Sequence, residues 1–174
     1  SIRPANPQVP PRDLRVTQIA PLAQIGFADS NSFGAKAANV AQLAKFLPSG
    51  MVPDGFAVPF YFYDEFMKLN GFYERATAMM EDPDFQHDPE VRVARLASFQ
   101  RRLRDGTLPA WMLDALDAMH RSFAPGASLR CRSSTNNEDL PDFNGAGLYD
   151  SYTHHPDEGH IAKSIRQVWA SLWT

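Results

Sequence analysis

Apolar and polar positions change period several times along the chain, and those changes mark out its elements. Ile19 to Ile25 is a short apolar segment, followed by the polar turn Asp29-Ser30-Asn31-Ser32-Phe33-Gly34. Val40, Leu43 and Leu47 then recur at core spacing, which predicts a helix from about Ala35 to Phe46 ending at Pro48-Ser49-Gly50. Val52 to Val58 reads as a turn plus a short buried strand. Pro59 suits the first position of the next helix, which offers Phe60, Phe62, Phe66 and Met67 to the core and ends or is interrupted at Asn70-Gly71. A helix-rich region runs on to about Phe123. Within it Val93, Leu96, Phe99 and Leu103 share one face, and Trp111, Leu113, Leu116 and Met119 populate another helix, broken by Pro125-Gly126. Strands are predicted at Ser128 to Ser133 and Leu148 to Thr153, around a polar loop. Ile161, Ile165, Val168 and Leu172 predict a last helix from about Asp157.

This order of helix, strand, helices, strand pair and helix predicts an α+β (mixed α/β) class, with no internal repeat. Ser1 to Asp13 hold four prolines and almost no apolar periodicity. Residues 1–18 therefore read as an extended N-terminal arm and 19–174 as the folded unit. A length of 174 residues suffices for one domain with a real core.

Composition narrows the function classes. A net charge of -3 gives no support for a nucleic-acid-binding surface. No apolar run approaches the ~20 residues of a membrane helix, and the N-terminus lacks the apolar core of a signal peptide. The single cysteine, Cys131, excludes an internal disulfide and fits a reducing compartment. The expectation is a cytoplasmic protein with neither membrane nor nucleic acid as partner. Because the chain begins at Ser1 rather than Met, it is expected to be a piece of something longer.

Candidate chemistry concentrates between Arg130 and Ser151. Strand alternation puts Leu129 and Cys131 on one face and Arg130 and Arg132 on the other, where a guanidinium offers planar donors to phosphate oxygens. The Asn144-Gly145-Ala146-Gly147 loop lets backbone amides approach an anion, and Ser151 adds a hydroxyl. Gly34-Ala35-Lys36 stands where a turn enters a predicted helix, a place that attracts anions. Taken singly, each feature reads better as ordinary surface: exposed strand arginines, a hairpin turn, a solvated lysine. Glu138-Asp139 reads as a structural turn, and Cys131 as a buried strand residue with no histidine to activate it. His154-His155 lacks further ligands at zinc spacing. Arg92, Arg95, Arg101, Arg102 and Arg104 read as a solvated helix face.

The order and spacing of these features change their weight. Gly34 to Leu43 resembles the GGKxAxLAxL opening of the nucleotide-binding domain of phosphoenolpyruvate synthases and pyruvate phosphate dikinases. Val52 to Val58 is similar to that family's VPPGFVV segment, and Arg132-Ser133-Ser134 with Glu138-Asp139-Leu140-Pro141 to its RSSATAEDLP signature. Gly145 to Ser151, with Val168 to Trp173 downstream, looks closer to the glucan water dikinase branch. The departures are Ala35 for the second glycine and Asn136-Asn137 in the loop. Neither removes a charged contact.

The resemblance spans roughly Ile19 to Thr174 and implies the first part of an ATP-grasp-type nucleotide-binding domain, truncated on its C-terminal side. Carried over by position, Lys36 and Arg132 would contact ATP phosphates, Gly147 and Leu148 would lie in the loop over them, and Ser151 would support that loop. The implied cofactors are ATP and Mg2+, with the magnesium ligands downstream of this chain. The implied partners are the C-terminal subdomain and the phosphohistidine domain of the intact protein, whose histidine would receive the phosphoryl group. Without them the chain is expected to be inactive. A non-catalytic protein- or polysaccharide-binding module on the same fold, and part of an antibiotic phosphotransferase, stay open as alternatives.

Overall fold

The computed structural model describes residues 14–21, 41–44, 55–133 and 151–174. Most of the predicted arm and all of the 134–150 loop lie outside these residues.

Among the described residues, five strands make one sheet: β1 (Ala20–Pro21), β2 (Ala41–Ala44), β3 (Gly55–Val58), β4 (Leu129–Ser133) and β5 (Ser151–His154). Their order is β1-β3-β2-β4-β5, and every neighbouring pair is antiparallel. β2 is a correction to the helix expected at Ala35 to Phe46. Ala41–Ala44 pairs with β3 on one side and with β4 on the other. Ladder partners on both edges satisfy its backbone, and such tertiary pairing outweighs a weak local preference for helix. The remainder of that predicted helix lies outside the described residues.

Between β3 and β4 the chain is helical: α1 (Phe60–Leu69), α2 (Phe72–Glu81), α3 (Pro83–His87), α4 (Pro89–Arg104) and α5 (Ala110–Arg121). The boundaries follow local chemistry. Gly71 joins α1 to α2 at φ 67, the left-handed region that glycine enters without a Cβ penalty. Asp82-Pro83 and Asp88-Pro89 each start a helix in the same way. The aspartate accepts a backbone N–H at 2.9 Å, from Asp84 and Glu90 respectively, while the proline takes a first-turn position that needs no donor. No described helix is long and apolar enough to cross a membrane.

α6 (Ala162–Ser171) packs on β4 and β5 and knits the helices to the sheet. It begins later than Asp157 because a turn ending at Gly159, φ 81, intervenes. Trp169 and Trp173 are fully buried; Trp169 lies 4.8 Å from the Phe66 ring, and Trp173 lies 4.8 Å from Phe99. The Trp173 indole N–H donates to Tyr63 at 2.9 Å, so its one polar atom is satisfied inside the core. Phe60, Phe62, Phe66 and Met67 are buried as their spacing predicts. Two expected core positions are not: Val93 is 69% exposed and Trp111 42%. Phe99 and Leu103 set the inner face of α4, and Val93 lies a quarter-turn or more from that line. Arg92 lies nearer to it and rests its guanidinium 5.9 Å over Phe85.

Candidate functional site

β4 is short, but its neighbours fix its orientation. Leu129, Cys131 and Ser133 are buried, while Arg130 and Arg132 are exposed. The register then places Arg132 opposite Ser151 of β5 and Arg130 opposite Thr153. Directly opposed residues of an antiparallel pair lie on one face, so both arginines share their side of the sheet with two hydroxyl residues. Arg130 donates from Nη1 to Thr153 Oγ1 at 2.9 Å. On the other edge of β4, Arg132 stands opposite Gln42 in the backbone register of β2.

The opposite face belongs to the core. Burial pushes the Cys131 thiol up to about 12, with Arg130 pulling more weakly the other way. A thiol so far above neutrality is an inert packing group rather than a nucleophile. His154, opposite Leu129 at the far end of the pair, is also buried. Its Nε2 lies 2.9 Å from the Gly159 carbonyl, an acceptor only, so Nε2 carries the proton. Nδ1 then accepts from the Ser164 hydroxyl at 2.8 Å. Both ring nitrogens are thus committed to tying the end of β5 to the start of α6. Among the described residues, no group of three His, Cys, Asp or Glu side chains is arranged to hold a metal ion.

Of the five residues singled out in the sequence, the structure brings Arg132 and Ser151 together. Lys36, Gly147 and Leu148 lie outside the described residues. Thr153 was not singled out, although the same alternation that exposes Ser151 puts it two residues on, on the same face. Gln42 was missed because its segment reads as helix. The arginines of α4 are less uniform than a solvated face. Arg92 donates to the carbonyls of Phe85 and Gln86 and Arg95 pairs with Asp82, whereas Arg101, Arg102 and Arg104 are exposed.

Comparison with known proteins bears on the family of the chain rather than on these individual residues. The family described as "Pyruvate phosphate dikinase, AMP/ATP-binding domain" matches residues 30–174. A "Probable phosphoenolpyruvate synthase" of Staphylothermus marinus is 26% identical over 149 residues, covering 81% of this chain and 17% of its own length. A phosphoenolpyruvate synthase of Pseudomonas aeruginosa is 26% identical, covering 91% of the chain and 20% of its own length. One from Helicobacter pylori is 29% identical over 83% of the chain and 18% of its own length. The chain therefore spans about a fifth of the length of these relatives. No solved structure matches it significantly. With the match running from the segment before β2 to the end of the core helix α6, the chain belongs to the pyruvate phosphate dikinase AMP/ATP-binding domain family.

Proposed function

We propose that this chain is the ATP-binding portion of a dikinase-type phosphotransferase, built on the first part of an ATP-grasp-type nucleotide-binding domain. The observation that carries the reading is the pairing of Arg132 with Ser151 on the exposed face of the sheet, in a chain of an AMP/ATP-binding family. In this reading the Arg132 guanidinium takes the phosphate oxygens and Ser151 steadies the glycine loop that Gly147 and Leu148 belong to. Lys36 supplies a second cation to the phosphates. Arg130, held by Thr153, keeps a further positive charge beside Arg132. Phosphoryl transfer depends chiefly on this kind of positioning and charge neutralisation.

Arg130, Arg132, Ser151 and Thr153 bring guanidinium and hydroxyl groups but no carboxylate. These residues do not fit Mg2+, so an ion accompanying ATP would take its protein ligands from elsewhere. The reading extends to a histidine on another domain as phosphoryl acceptor, consistent with relatives roughly five times as long, and to cytoplasmic residence.

Titration with Mg-ATP tests the reading. Arg132→Ala should weaken binding by about 10- to 100-fold, the equivalent of one charge-assisted contact of about 1.5–3 kcal/mol. Its thermal midpoint should hold, because the side chain is exposed. Unchanged affinity in a Lys36→Ala, Arg132→Ala double variant would remove both residues from the phosphate site.

A further inference from the structure

The helical layer carries a second cationic feature, which shares no residue with the sheet face. A groove of about 360 Å³ runs between α2 and α4. Its floor is apolar, made by the buried side chains of Met79 and Phe99. Ala78 and Ser98, one on each wall, are too short to fill the space above that floor. At one end Arg95 pairs with Asp82 at 2.5 Å. That carboxylate also accepts the Asp84 N–H, so its charge and its lone pairs are engaged.

The other end follows from helix geometry. Arg75 lies seven residues before Asp82, and Arg102 seven after Arg95, so each is about 10 Å along its helix from the ion pair. Both line the same groove, which requires the two stripes to run in opposite directions and puts Arg75 and Arg102 together at the far end. Both are exposed, and no carboxylate among the described residues lies within ion-pair distance of either. The lining thus sums to three guanidiniums against one carboxylate, a charge of +2.

We propose that this groove binds a small phosphate monoester with an apolar body, at a site separate from the sheet face of Arg132. Two unpaired guanidiniums match a dianionic phosphate, whose oxygens accept their forked N–H donors. The Met79–Phe99 floor takes an aryl or alkyl group. The volume lies at the lower end of the range for small-ligand pockets, and the Asp82–Arg95 pair occupies the remaining end. An extended peptide laid along the groove would have to pass over that ion pair, which favours a short ligand.

Calorimetric titration of the intact chain with phenyl phosphate is the test, with inorganic phosphate and benzyl alcohol as head-only and body-only controls. Phenyl phosphate should bind about tenfold or more tightly than either control, since both ends of the groove contribute. An Arg75→Gln, Arg102→Gln double variant should lose that binding without a change in thermal midpoint, and Ala78→Phe should lose it by filling the space. Arg132→Ala should leave it intact. The proposal is overturned if phenyl phosphate shows no saturable binding, or if inorganic phosphate binds as well. Retention of affinity in the double variant, or its loss in Arg132→Ala, would overturn it too. So would tighter binding of an acidic peptide, which would make the groove a protein-docking site.

Discussion

Cys131 is the only cysteine of the chain, and it lies between the two arginines of β4 with its side chain on the opposite face. It therefore reports which way the strand faces. With the thiol pushed from an ordinary value of 9.0 up to about 12, its thiolate fraction at pH 8 is about 1 in 10,000, against about 1 in 10 at the ordinary value. Alkylation by iodoacetamide should accordingly run about a thousandfold slower in the folded chain than in urea, before any steric shielding is added. The assay is the labelling rate by mass spectrometry at pH 8, native against unfolded. Between pH 9 and 11 the native rate should continue to climb while the unfolded rate levels off. A one-residue slip of β4 would exchange its faces, bringing Cys131 to solvent and Arg132 into the core. Native labelling at close to the unfolded rate would therefore refute the placement of Arg132 beside Ser151, and with it the proposed phosphate contact.

Two other expectations concern stability. A Cβ on Gly106 would meet the Phe66 ring at 2.6 Å and Phe72 at 3.0 Å, so Gly106→Ala should cost about 1–3 kcal/mol in urea unfolding. Adding Phe66→Leu should recover part of that loss, and strictly additive effects would refute the clash. The Glu158 carboxyl is held down at about 2, first by the Lys163 ammonium and then by the His155 N–H. Its folded value lies below its unfolded one, so its contribution is present above about pH 4.5 and is lost as pH falls towards 2. Glu158→Gln should flatten the unfolding profile in that window, and an unchanged acid slope would contradict the pairing.

Much of the helical layer is legible in the sequence because its signals are local. Asn70-Gly71 ends one helix, Pro125-Gly126 follows another, and Phe99 with Leu103 marks a buried face. The finer breaks at Asp82-Pro83 and Asp88-Pro89 were also available, since an aspartate followed by proline supplies both a cap and a first-turn residue. The strand alternation of β4 names Arg132 as exposed before any fold is known. It does not name what stands beside it.

The amino-acid sequence by itself determined the family resemblance, the α+β class and the two faces of β4, because periodicity states which side of an element is apolar. Only the tertiary structure decided that Ala41–Ala44 is a strand, that Arg132 stands opposite Ser151, and that Arg75 joins Arg95 and Arg102 around one groove. Each of these depends on partners twenty or more residues away or on another element. Spacing along the chain records an element's own period. Register across a sheet and the meeting of two helix stripes are settled by burial and hydrogen bonding with the partner, and those energies exist only once the chain has closed.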